Sequence, residues 1–150
     1  MSPHLTDRIL VPVANETDAE RTCRSIRQHL ENDSGEVRPT AVVAHVIEKA
    51  DGAIDKAPLE ARKEQAASIF DMVRGELEPA GYTVETELLF ESDVVTAIHD
   101  AASEAGAHSI AFVPREGGFL AKLLASDLTD LVTESPVPVI TLPDVPDSSS

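Results

Sequence analysis

Four short apolar runs, Ile9–Val13, Thr40–Ile47, His108–Val113 and Val137–Leu142, recur along this chain with helix-forming stretches between them. A strand covered on both faces reads as such a run rather than as strict alternation, so these segments are expected to be strands of a parallel sheet, with the last of them an apolar edge. Tyr82–Phe90 alternates in part through Val84, Thr86, Leu88 and Phe90, which suits a sheet-edge strand with one wetter face. Regular strand–helix alternation predicts one α/β domain, an open parallel sheet with helices on both faces. Residues 1–150 read as this single domain, with its core at about 8–143 and a frayed Pro/Ser/Asp tail beyond.

Local signals place the helices. Thr17 with Glu20 spells a capping box for a first helix running to about Asn32, where Asn32-Asp33-Ser34-Gly35 forms a turn cluster. Glu48–Ala57 is polar and reads as a long connection or lid-like loop, and Pro58 is placed to open the next helix. Ala66, Ile69, Phe70, Val73 and Leu77 then make a core-facing stripe, stopped by Pro79-Ala80-Gly81. Ser92 or Asp93 caps a third helix with Gly106 just past its end. A fourth helix starts at Leu120 or Asp127 and ends at Glu134.

Composition narrows the function classes. Aromatics make up only 3% of the chain and Trp is absent, so Val, Ile, Leu and Ala must build the core. The single cysteine, Cys23, cannot form an intramolecular disulfide; it reads as a packing residue, with a redox thiol as the other reading. No apolar run reaches membrane-span length and MSPHLTDR carries no hydrophobic signal region, which points to the cytoplasm and no membrane insertion. A net charge of −15 repels phosphates and anionic lipid, which excludes nucleic acid as a partner. Acid is dispersed along the chain and lysines are few, a pattern suited to the high-salt cytoplasm of a halophile.

The motifs in sequence order are ILVPVANETDAER, AHVIEK, SDVVTAIHDAASEAGAHSIAFV and the closing IAFVPREGGFLAKLLASDLTDLVTESPVPVITLP. Together they resemble the universal stress protein family over about Arg8 to Pro143. The resemblance implies a Rossmann-like sheet of order 3-2-1-4-5, with a ligand crevice where that order reverses between the first and fourth strands. That crevice would be lined by Pro12 to Glu16, Val46, Val113 to Gly118 and Ser126-Asp127. If nucleotide binds, the contacts implied are Pro12, Val46, Arg115, Gly117, Gly118 and Ser126.

The chain departs from the nucleotide-binding pattern at several of these positions. Ala14 stands where such members carry an Asp that meets the base and sugar end of the nucleotide. Val113-Pro114-Arg115-Glu116 replaces the first glycines of the phosphate loop, and Ala125-Ser126 replaces Gly-Ser. A phosphate cradle needs inward backbone N–H groups with no Cβ in the way. Val113 fails on bulk, Pro114 has no N–H, and Glu116 repels phosphate. Arg115 offers an anion contact or a surface pairing with neighbouring acid. Gly117-Gly118 reads as a phosphate-approach turn or a plain tight turn, and Ser126 as a helix N-cap, a phosphate ligand or both.

His4, His29, His45, His99 and His108 sit in separate elements without metal-ligand spacing, and His45, near the crevice, is the one whose titration could matter. No Ser-His-Asp arrangement, nucleophile elbow or P-loop is present in the sequence. The expectation is a non-enzymatic stress-response or regulatory domain without a cofactor, acting through a protein partner or an unidentified small ligand. The alternatives are an ATP- or AMP-binding member with an altered loop and weak ATPase activity, and a regulatory module for a membrane transporter. The resemblance further implies a homodimer through the last strand, Val137–Leu142, with Pro138 turned away from the pairing.

Overall fold

The computed structural model describes residues 6–30, 39–48, 56–114, 118–119, 123 and 125–145. Strands β1 (Arg8–Pro12), β2 (Thr40–Glu48), β3 (Thr83–Glu91), β4 (Ser109–Phe112) and β5 (Val139–Thr141) form one sheet in the order β3-β2-β1-β4-β5. Every neighbouring pair is parallel. Helices α1 (Glu16–His29), α2 (Lys56–Leu77), α3 (Val94–Glu104) and α4 (Ala125–Thr133) connect them. The expected α/β architecture and strand order are those observed.

Strand periodicity explains why the inner strands look uniformly apolar. Ile9, Val11 and Val43 face α1 and α2, where Cys23, Ile26, Ile69 and Val73 close the layer. Leu10, Val42, Ala44, Ile110 and Phe112 point the other way, onto Ile98 and Ala102 of α3 and Leu131 of α4. Neither face is left to water, so both registers of each central strand must be hydrophobic. β3 differs because it is an edge: Val84 is buried, whereas Glu85 and Glu87 on alternate positions are exposed. The chain crosses from the β3 edge to β4 through α3, and this crossover creates the reversal in strand order beside β1.

Several boundaries differ from the sequence expectation. α1 is capped by Asn15, not Thr17, and starts at Glu16. Asn15 Oδ1 accepts the Asp18 N–H at 2.8 Å, while the Asp18 carboxylate accepts the Ala14 N–H at 2.8 Å. This is a reciprocal cap one residue pair earlier than Thr17 and Glu20, and Glu20 pairs with Arg24 instead. α2 begins at Lys56, so the polar connection is shorter than Glu48–Ala57, and Pro58 falls in the first turn, where no helical N–H partner is lost. Residues 49–55 and the turn Asn32–Gly35 lie outside the described residues.

α2 ends as expected: Glu78–Ala80 tightens into a 3-10 turn and Gly81 takes φ 97°, the left-handed region glycine enters freely. α4 starts at Ala125, so Ser126 is an exposed residue inside the first turn and not the N-cap. The segment after β5, expected to fray, is tied to α1 at its start. There Ser25 Oγ donates to the Pro143 carbonyl at 2.7 Å and Arg21 pairs with Asp144 at 3.1 Å. Residues 146–150 lie outside the described residues.

Candidate functional site

In an open doubly wound sheet the ligand crevice lies at the carboxyl ends of the strands flanking the order reversal. Here that place is lined by Pro12, Val13 and Ala14 after β1, Ala44, His45 and Val46 of β2, Val94 at the start of α3, and Phe119. Pro12 and Val46 are thus brought together as the sequence implied. Arg115 and Gly117 lie outside the described residues. Gly118 is buried beside Phe119 in the chain but does not line the crevice, and Ser126 is exposed on α4. Asp127, expected at the crevice, instead lines a separate open groove between α3 and α4 with Asp93, Thr96, His99, Asp130 and Glu134.

The pocket that these described residues line has about 20 Å³ of free space, which admits one water. Phe119 lines it from the far side of the chain: the side chain is buried and its ring sits 5.9 Å from that of Phe112, inclined at 58°. This edge-tilted arrangement is one that aromatic pairs favour. The sequence did not single out Phe119. With only four Phe in the chain, one placed directly after Gly117-Gly118 was the available signal.

The backbone around the crevice is also occupied. The Val13 N–H donates to the Ala44 carbonyl at 2.9 Å, extending the β1–β2 ladder beyond the strand end. The Ala14 N–H donates to the Asp18 carboxylate. His45 Nδ1 lies 3.0 Å from the Val13 carbonyl, and since a carbonyl only accepts, Nδ1 carries the proton in that bond. His45 is therefore a buried clamp between the ends of β1 and β2, the packing role weighed for it in the sequence. Ala14 itself offers the pocket only a methyl group.

Other candidate groups have structural partners as well. His99 Nε2 meets the Leu131 carbonyl at 3.0 Å and ties α3 to α4. His29 Nδ1 lies 3.1 Å from the Ser25 carbonyl one turn earlier. Cys23 is buried against α2, and burial first, then the nearby Glu76 carboxylate, push its thiol up to about 12. It is a packing residue, held in the neutral thiol form. Among the described residues no group of three or more His, Cys, Asp or Glu could hold a metal ion.

An open parallel sheet of this order, with its crevice at the β1/β4 reversal, defines the class of doubly wound, Rossmann-like α/β domains. The profile of the universal stress protein family matches residues 6–143, and the chain belongs to that family. Among solved structures, it is similar to a hypothetical protein studied as a structural-genomics test case (TM-score 0.73, 17% identity, 96% of this chain and 100% of that one). It is also similar to the universal stress protein of Archaeoglobus fulgidus in complex with dAMP (TM-score 0.59, 23% identity, 93% and 99% covered). A third is a universal stress protein family protein of Arabidopsis thaliana with AMP bound (TM-score 0.62, 10% identity, 95% of each chain). At these identities the likeness shows the fold. No curated protein sequence matches the chain.

Proposed function

We propose that this protein is a stress-response or regulatory domain of the universal stress protein family that is not an enzyme and does not bind ATP in the family's usual way. One observation carries the reading: the pocket lined by Pro12, Ala14, His45 and Val46 retains about 20 Å³ of free space, and the N–H groups of Val13 and Ala14 beside it are already engaged. A base entering there meets Ala14, which accepts and donates nothing from its side chain. The acid-rich, lysine-poor composition, with its net charge of −15, fits a protein working in a high-salt cytoplasm. No helix among the described residues is long and apolar enough to cross a membrane.

The working unit in this proposal is a homodimer built on β5. Pro138 gives its carbonyl to the Ile110 N–H, so the side of Pro138 that lacks a donor faces β4 and not a second copy. The alternate positions Val139 and Thr141 then present their backbone groups to the open edge. The two exposed large apolar side chains among the described residues, Leu128 and Val132, lie one turn apart on α4, the helix leading into β5.

A second reading, an adenine nucleotide held by an altered loop, is favoured by solved neighbours carrying dAMP, cAMP and AMP. Denaturing protein purified in high salt and analysing the released small molecules by mass spectrometry separates the two. An empty protein with a flat ATP titration is the expected result. Near-stoichiometric ATP or AMP overturns the proposal.

A further inference from the structure

We infer that the groove between α1 and the segment after β5, lined by Arg24, Arg27, Gln28 and Val145, binds a small oxyanion, a phosphate or carboxylate head on a compact body. None of these residues lines the crevice, so the inference goes beyond the proposed function and does not depend on it.

Charge is the first support. The chain holds only 12 Lys and Arg against 27 Asp and Glu, yet α1 sets Arg21, Arg24 and Arg27 three residues apart along one flank. Arg24, Arg27 and Gln28 stand at helical spacings of three and four, which brings two guanidiniums and an amide onto one patch. Shape is the second. The groove has about 290 Å³ of free space, where sites for small molecules begin near about 300 Å³. Its other wall is fixed to α1 by the bond from Ser25 Oγ to the Pro143 carbonyl and by the Arg21–Asp144 ion pair, and Val145 adds an apolar surface there.

The third support is the use of donors. Arg8 spends Nε and both terminal nitrogens on Ala105 and Glu85. Arg27 spends only Nη1, on Glu76 at 3.3 Å, and no described residue takes its Nε or Nη2. Its side chain is 46% exposed. Arg24 is steadied by Glu20 one turn earlier. Exposed pairs of this kind are weak, so an incoming anion can trade places with Glu76. A planar guanidinium fork matches two oxygens of a carboxylate or phosphate, a contact that chloride cannot copy.

The test titrates inorganic phosphate or succinate into full-length protein, each exchanged for chloride at constant ionic strength. Proton–nitrogen correlation spectra follow the backbone and the arginine Nε–H groups. At least one of the two anions is expected to give saturable shifts confined to Arg24, Arg27, Gln28 and Val145. Phosphate alone assigns a phosphate ester, and succinate a carboxylate. Arg27→Gln should weaken that binding at least about tenfold. Glu76→Gln removes the competing carboxylate and should tighten it, whereas Glu60→Gln, exposed on α2, changes the net charge equally and should not. The inference is overturned if neither anion saturates, if the shifts spread over basic residues elsewhere, if Arg27→Gln binds as wild type does, or if Glu76→Gln binds no tighter than Glu60→Gln. Nucleotide found in the crevice would sink the proposed function and leave this site standing.

Discussion

Arg8 reaches across β2 to Glu85 on β3, holding both carboxylate oxygens at 2.7 and 3.0 Å, while its Nε donates to the Ala105 carbonyl at the end of α3 at 2.6 Å. One guanidinium thus ties the first strand to the sheet edge and to the helix cap that precedes β4. The bridge holds the Glu85 carboxyl below its usual range, chiefly through the hydrogen bond from Arg8. A depressed carboxyl stabilises the fold above its unfolded pKa, and the benefit is lost as pH falls through the folded value. Glu85→Gln should therefore cost under about 1 kcal/mol at neutral pH, less in high salt, and progressively less in acid as pH falls below the unfolded value of an ordinary carboxyl. Urea unfolding of both proteins at neutral and acid pH checks this. Equal stability at neutral pH would mean that the bridge contributes nothing.

The α1 cap gives a sharper contrast. Asn15→Ala should cost about 1 kcal/mol, within a range of roughly 0.5–2, because Asn15 Oδ1 satisfies the Asp18 N–H. Asp18→Ala should cost about 1–3 kcal/mol, since its buried carboxylate holds the Ala14 N–H. Thr17→Ala, at an exposed position, should stay within about 0.5 kcal/mol of wild type. Denaturant midpoints of the three variants decide which cap operates, and a large loss at Thr17 would restore the box read from sequence.

That contrast shows why some features were legible and others were not. The inner strands could be read because burial on both faces forces every position of Ile9–Val11 and Val42–Ala44 to be apolar, a signal independent of context. The cap could not, because Asn15-x-x-Asp18 and Thr17-x-x-Glu20 both spell a helix start and only the end of β1 chooses between them. Pro12 and Val46 were placed by strand order alone. Val94 arrives at the crevice through the α3 crossover, a tertiary event with no local mark. Phe119 was passed over because the loop was read for its glycines, as a surface for phosphate, while its aromatic residue supplies the packing.

Cys23 gives a test at alkaline pH. Its thiol is raised to about 12 by burial and by Glu76, against an ordinary value of 9.0. Between those values the unfolded chain ionises and the folded chain does not, so folding stability falls as pH rises through that window, by up to about 1.4 kcal/mol per unit. Cys23→Ala should remove this part of the slope when unfolding is compared at about pH 7 and about pH 10. In native protein the thiol should resist a maleimide reagent and react fully once urea is added. Rapid labelling of the folded protein would return Cys23 to the status of a redox candidate.

The β5 edge allows a test that separates assembly from folding. The Pro138 carbonyl and the Leu142 N–H both bond to β4, which leaves the Thr141 N–H on the opposite, open side of the strand. Thr141→Pro therefore removes a donor from the edge without removing one from the sheet, and the exposed Thr141 side chain leaves no cavity behind. Light scattering in high salt should find wild type as a dimer and Thr141→Pro as a monomer with unchanged far-UV circular dichroism. Leu128→Asp with Val132→Asp places like charges on the exposed face of α4 and should weaken the dimer without altering the sheet. A Thr141→Pro dimer with a monomeric α4 variant would move the interface from the strand edge to the helix. A monomeric wild type would leave β5 as an open edge.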